Sequence, residues 1–447
     1  MAEIAPFRGL LYNQGKIPDL AQVLVPPYDV ISPEEQKAFH DKSPYNFIRL
    51  ELGLPTPEDS VENNPHTRAA AFCRQWMDEG ILVRDTKPSI YYCELDFKDG
   101  TGSARTRKGF MCVLRLEDFS SGRVLPHEKT FQAVKDERMA LMLACNANMS
   151  PVFAIYPDSN QQVLRALASG RTDDSAIRFT DFAGIAHRVW PVTDRPTLER
   201  VRELMPDKPI FIADGHHRYE TALSYRNIMR ERHGGGNSHA SYEYVMVYLT
   251  DISEPGLTIL PTHRLLRNLE AWDPDQFIER AKRCFDVERF EPCNGGELKW
   301  KDAICAGGLR KDTTIGFCRR NATCVYVLTA KREAVSSLLS RKGIPDPLKT
   351  LDVVVLDQVL LKDILGVSEQ FLANERNISF NHDFAQAMEE IKSGRYDAGF
   401  FINHTRIEQV REIAGAGLIM PHKSTYFYPK VISGLVTNLL YPDEEIF

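Results

Sequence analysis

The chain has 447 residues, 43% hydrophobic and 26% charged, which is enough apolar material for a sizeable core in two or three domains. Its net charge of −6 disfavours a broad nucleic-acid-binding face but leaves room for a local basic pocket. No apolar run approaches the roughly 20 residues that span a bilayer, and Met1–Phe7 lacks a basic region followed by an apolar stretch, so the expected setting is cytoplasmic, without membrane or nucleic acid.

The nine cysteines are scattered and form no C-x-x-C pair. Cys318 and Cys324 sit six apart, poor spacing for a structural zinc site, so all nine read as reduced thiols and no protein-held metal is expected.

The first ~90 residues are turn-rich, punctuated by Pro18, Pro26, Pro27, Pro33, Pro44, Pro55 and Pro57. Ser32-Pro33-Glu34-Glu35 reads as an N-cap, a first-turn proline and first-turn acids, with a helix through Phe39. Asn46 to Glu51 reads as a strand end carrying a polar pair, and a helix is expected from about Thr67 to Glu79. Ser89–Phe97 and Arg107–Leu116 form a strand pair around the Lys98-Asp99-Gly100 turn. Asp136–Ala147 has helical spacing, Val152–Tyr156 reads as a short buried strand, and Val163–Ala168 and Thr197–Met205 as helices.

An apolar run then ends at Asp214-Gly215, and His216-His217-Arg218 opens a helix expected to reach about Arg232. Gly234–His239 is a loop, Tyr244–Leu249 and Leu257–Leu260 are strands, and a helix follows Trp272. Strands are expected at Thr314–Phe317 and Cys324–Leu328. Strands and helices interleave, so the class is α/β or α+β. Four segments are expected: 1–88, packing on the core; 89–268, the core itself; 269–350, a small α/β subdomain; and 351–447, closing the site.

Five polar segments carry candidate chemistry. In the first, Gly215 permits a sharp turn, the following amides point out of a helix N-terminus, and Arg218 adds a planar cationic fork, which together suit a phosphate. His216 or His217 could move a proton near neutral pH; a helix cap flanked by surface histidines is the bland alternative. The second, Pro126-His127-Glu128-Lys129-Thr130, offers Glu128 as a general base, or is a charged surface turn; it lacks the second histidine of a zincin. The third, Thr262-His263-Arg264, follows an apolar strand, where ligands gather in open α/β sheets. The fourth, Met420–Lys430, packs Lys423, Ser424, Thr425 and Lys430 among three aromatics, suited to phosphate and a base, or forms a lid without a ligand. The fifth, Pro26-Pro27-Tyr28-Asp29, is a rigid loop in which Asp29 holds a hydroxyl or simply makes a turn.

Together these segments resemble the domain-of-unknown-function family numbered 1015, across nearly the whole chain. Asp214-Gly215-His216-His217-Arg218-Tyr219 is also similar to the turn of the ParB, sulfiredoxin and free serine kinase group. That resemblance implies a ParB/sulfiredoxin-like core with N- and C-terminal additions, and phosphate binding at Gly215, His217 and Arg218. His216 stands where sulfiredoxin has its catalytic cysteine, which removes the sulfinic-acid chemistry.

The expected function is a phosphotransferase acting on a small hydroxylated, serine-like metabolite with ATP, ADP or another phosphate donor, and Mg²⁺ as an accompanying ion. Asp214, His216, His217 and Glu128 are the candidate catalytic residues. Gly215, Arg218, His263, Arg264, Lys423, Ser424, Thr425 and Lys430 would bind phosphate or nucleotide, and Tyr28, Asp29 and His127 the substrate. The alternatives are a phosphatase or other hydrolase using His216 or His217, and a nucleotide-responsive ParB-like DNA-binding protein. The sequence does not specify the oligomeric state.

Overall fold

The computed structural model describes residues 2–234, 237–270, 272–291, 296–374 and 376–446. It is a mixed α/β protein that divides into two compact units: residues 1–126, 130–258 and 429–447 form the first, and residues 127–129 and 259–428 the second. The expected segments 1–88 and 89–268 fall almost wholly in the first unit. The last 19 residues of the expected C-terminal segment return to it.

The first unit is built on a nine-stranded sheet. Its order is Val124–Leu125, Ile210–Asp214, Val152–Tyr156, Tyr244–Asp251, Ala104–Arg115, Ile90–Lys98, Ala186–Val192 and Ile177–Thr180, with Ile4–Ala5 also pairing along Ala104–Arg115. Tyr244–Asp251 runs parallel to Val152–Tyr156, whereas Ile210–Asp214 is antiparallel to it. All eight residues of Tyr244–Asp251 are buried, which is why that stretch reads as a continuous apolar run rather than an alternating one.

Helix His216–His233 packs on this sheet with Tyr219, Ala222, Tyr225 and Met229 in the apolar core. Removing large side chains such as Met229 from water contributes roughly 1.5–3 kcal/mol each, and the Ala222 methyl less. The same helix buries His216, Arg218, Thr221 and Arg226. Its face is therefore mixed, and its polar members need partners inside the protein.

The second unit has a six-stranded antiparallel sheet ordered Phe285–Phe290, Val325–Ala330, Thr314–Arg319, Ala398–Phe401, His263–Leu266 and Ile378–Asn381. Helices cover it, among them a ten-residue π-helical stretch, Leu356–Leu365, that the sequence pattern did not announce.

Most expected elements form with shifted ends. The helices are Pro33–Lys42, Pro65–Asp78, Gln132–Cys145 and Arg195–Leu204. The expected Gly234–His239 loop lies partly outside the described residues. One expectation fails outright: Asn46 to Glu51 is not a strand end. The Asn46 side-chain oxygen accepts from the Ile48 amide and starts the short helix Ile48–Glu51. No described helix is long and apolar enough to cross a membrane. The eight described cysteines are free thiols; Cys293 lies outside the described residues.

Candidate functional site

The candidate residues resolve into two clusters, one in each unit. In the first unit, strand Ile210–Asp214 slips register between Ile212 and Asp214, so Asp214 pairs with Phe153. A bulge of this kind re-aims a side chain at a strand end. Gly215 follows at φ +87° and caps helix His216–His233 without contributing a side chain. First-turn amides of a helix lie outside its internal hydrogen-bond ladder, so this terminus is an anion-favouring end.

Gly215 is required for a second reason. A Cβ there would meet Arg218 Nε at 2.8 Å and Cζ at 2.9 Å. The guanidinium folds back over the turn, donating through Nη2 to Asp214 Oδ2 at 2.7 Å and through Nη1 to the Pro151 carbonyl. Lys430 Nζ donates to the other carboxylate oxygen, Oδ1, at 2.5 Å. Burial alone would raise the Asp214 pKa, but Lys430 and then Arg218 outweigh it and hold the carboxyl well below its usual range. Asp214 is therefore an ionised anchor between two cations.

Tyr28 and Asp29 sit in a short 3₁₀ turn, Tyr28–Val30, set by Pro27. Both interact electrostatically with Arg218. Burial raises the Tyr28 phenol pKa, against the opposing pull of Arg218 and Arg138, and keeps it protonated. Thus three of the five segments, through Tyr28-Asp29, Asp214–Arg218 and Lys430, meet in one charged cluster.

Glu51, at the end of the Asn46–Glu51 segment, and Arg138, which no sequence motif marks, complete this cluster. Glu51 is buried, accepts from Ser150 Oγ at 2.7 Å, and pairs with Arg138 Nη1 at 3.4 Å. Arg138 also donates to Glu137 and lies 4.1 Å from the Tyr28 ring centroid. Burial raises the Glu51 pKa, opposed by Arg138 and Ser150. The one signal that could have flagged Glu51 is its placement among apolar neighbours in Phe47-Ile48-Arg49-Leu50-Glu51.

Of the two histidines of the turn, His216 is buried and not a surface residue, whereas His217 is half-buried. His217 Nε2 accepts from the Phe131 amide at 2.9 Å, and its ring stacks on Phe131.

The second unit holds the other candidates. Glu128 Oε1 lies 3.0 Å from His422 Nδ1 and accepts from the Lys423 amide at 3.4 Å. His127 Nε2 lies 3.2 Å from Thr425 Oγ1, and the His127 carbonyl accepts from the Met420 amide at 2.8 Å. The Ser424 carbonyl accepts from Thr405 Oγ1. Lys423 itself has φ +57°.

His263 and Arg264 come just after the strand Thr258–Leu260 and open the next one, His263–Leu266. Arg264 is 1% exposed, donates to the Thr262 and Lys423 carbonyls, and lies over Phe380. Burial lowers its pKa, and Asp357 of the π-helical stretch opposes that. Burial, followed by His382, pushes His263 down to about 3, and its Nδ1 accepts from the Ile402 amide. His263 is accordingly a neutral imidazole built into the sheet. Among the described residues, no group of three or more metal-ligating side chains is gathered.

The chain belongs to the family described as "Protein of unknown function (DUF1015)", which matches residues 4–354. No curated protein matches it significantly. Among solved structures it is similar to a conserved hypothetical protein from Pyrococcus furiosus, at 13% identity and a TM-score of 0.35, over 74% of this chain and 97% of that one. It is likewise similar to a free serine kinase in complex with AMP, at 12% identity and a TM-score of 0.34, over 75% and 90% of the two chains. A C-terminally truncated SbnI from Staphylococcus aureus aligns at 7% identity and a TM-score of 0.32, over 75% and 90%. Likenesses this distant do not define chemistry, which has to come from the residues of this chain.

Proposed function

We propose that this protein is a phosphotransferase that acts on a small hydroxylated metabolite, serine-like in size, with a nucleotide such as ATP or ADP as phosphate donor or product. The observation that supports it most is the Asp214 turn. A capless helix start is flanked by Arg218 and Lys430, both locked to one ionised carboxylate. Phosphoryl transfer depends on positioning and charge neutralisation, and such a turn offers both without covalent chemistry. In this reading the turn is of the ParB/sulfiredoxin type. Its first-turn amides bind phosphate, Lys430 supplies a positive charge fixed beside the turn by Asp214, and Arg218 holds the turn in shape.

Mg²⁺ would enter with the phosphates of the nucleotide, as it does where one or two carboxylates and the substrate share its coordination. In the second unit, the Glu128 carboxylate is held by His422 and the Lys423 amide, and it takes no part in this reading. The hydrolase alternative, with a histidine nucleophile, is less well supported, because His217 Nε2 is already engaged by the Phe131 amide. The expected partner is a small molecule, in a cytoplasmic setting.

Calorimetry with ADP and ATP tests the reading. The unaltered chain should bind one of them, and Lys430→Gln and Arg218→Ala should each weaken binding at least about tenfold, or 1.4 kcal/mol. Unchanged affinity in both folded variants, or no nucleotide binding at all, would remove the assignment.

A further inference from the structure

Beside the Arg218 side chain the first unit has a partly open cavity of about 30 Å³. At roughly 10–15 Å³ for each water-sized group, it takes one or two heavy atoms. Glu51, Arg218 and Thr221 line it on the polar side, and Leu141, Met142 and Val245 on the apolar side.

Three polar atoms of these lining residues are buried and lack a hydrogen-bond partner: Glu51 Oε2, Thr221 Oγ1 and Arg218 Nε. Their side chains belong to residues that are 1%, 1% and 8% exposed. Leaving a buried polar group unmet costs about 1–3 kcal/mol, more for a charged one, so three around one small space indicate a ligand group that satisfies them.

The donor and acceptor pattern narrows that group. Arg218 Nε can only donate, Glu51 Oε2 accepts when ionised and can donate when protonated, and Thr221 Oγ1 can do either. An anion would face Glu51, and an ammonium would face Arg218 and Arg138. A hydroxyl accepts from Arg218 and donates to Glu51 or Thr221, so it meets the set without an unpaired charge. The apolar wall suits the carbon that bears it.

We propose that this cavity receives the hydroxymethyl group of a small primary alcohol, and that Glu51 and Thr221 select for hydroxyl over methyl at that position. The proposal rests on the phosphotransferase reading for its ligand class and narrows the substrate to small primary alcohols, whose hydroxymethyl carbon and oxygen are the upper limit of the one or two heavy atoms this space takes. Glu51 is held for this role by Ser150 and Arg138, which occupy its other oxygen and leave Oε2 directed at the ligand. A site built to hydrogen-bond a hydroxyl rejects the analogue lacking it far more strongly than an apolar pocket rejects an extra methylene.

The test uses the full chain with saturating ADP and matched probe pairs, L-serine against L-alanine and ethanolamine against ethylamine, followed by calorimetry and ligand-observed NMR. At least one hydroxylated probe should bind about tenfold or more tightly than its partner. Thr221→Val, chosen because it keeps the side-chain shape, should bring that ratio close to one while ADP affinity stays as in the unaltered chain. Glu51→Gln should do the same and serves as the second variant if Thr221→Val does not fold. The proposal is overturned if neither pair is discriminated, or if discrimination survives both substitutions, which would make the cavity a place for solvent only. Absent ADP binding is a separate result: it removes the phosphate-turn reading, whereas hydroxyl discrimination is read from the probe pairs.

Discussion

Asp214 in the first unit and Asp352 in the second are both carboxylates enclosed by protein, yet their pKa values move in opposite directions. Asp214 is flanked by Lys430 and Arg218 and drops below the ordinary range. Asp352 is pushed up to about 7 by burial, with the backbone and side-chain amides of Asn403 as its main opposing contacts at 3.3 and 3.2 Å. Neutral hydrogen bonds do not offset the loss of water around a charge; two full counter-charges do. At Asp214 the first unit thus keeps a charge in place. The second lets burial neutralise its groups, His263 among them.

The contrast is broken most directly at Asp214. Asp214→Asn keeps the shape but leaves Arg218 and Lys430 enclosed without their shared carboxylate. Breaking one side of a buried ion pair costs about 3–5 kcal/mol, and a loss of that size is expected in urea unfolding. A loss below about 1 kcal/mol would mean that water screens the cluster, and the distinction between the two units would fall with it.

A smaller effect is expected at Gly215. Gly215→Ala places a side chain in the left-handed region, at about 1–2 kcal/mol, and drives its Cβ against Arg218. Gly234→Ala is the control, because Gly234 also has φ +79° but nothing lies within 4 Å of the added Cβ. The Gly215 variant should lose more stability than the Gly234 variant and, alone of the two, weaken ADP binding. Equal losses and unchanged ADP binding would show that Arg218 does not depend on the turn.

These residues also show what could be read from the sequence and what could not. The Asp214-Gly215 turn was legible because it is local: an apolar strand, a glycine and a helix start occupy adjacent positions, and the helix ended within one residue of its expected limit. Tyr28 and Lys430 were legible as motifs, but their meeting with Arg218 and Asp214 spans about 190 and 216 positions and no spacing rule encodes it. The pairing of Glu51 with Arg138 was not legible for the same reason. They lie 87 positions apart, and Asn46–Glu51 read as a strand end until the Asn46 side chain was seen to start a helix. His263 does follow an apolar strand, Thr258–Leu260, as the sequence suggests, but it opens the next strand, His263–Leu266, and its burial there depends on the sheet neighbours Ile378–Asn381 and Ala398–Phe401, which no local pattern announces.

The smallest net effect lies in the pH dependence of stability, because two groups of the second unit oppose each other. Asp352 has a folded pKa of about 7 against an unfolded carboxylate value of about 4. Between those limits the unfolded chain has released this proton and the folded chain still holds it, so stability falls as pH rises. His263 has a folded pKa of about 3 against an unfolded value of about 6.5. In its window the unfolded chain holds the proton and the folded chain does not, so stability rises with pH. Between about pH 4.5 and 6 the two slopes, each up to about 1.4 kcal/mol per pH unit, largely cancel. Each single variant should expose the other slope. Relative to the unaltered chain, Asp352→Asn should lose stability on acidification across this window and His263→Gln should gain it, as read from urea midpoints at several pH values. Parallel profiles for both variants would show that neither group is enclosed strongly enough to change its protonation on folding, and the second unit would then no longer be the region where burial prevails.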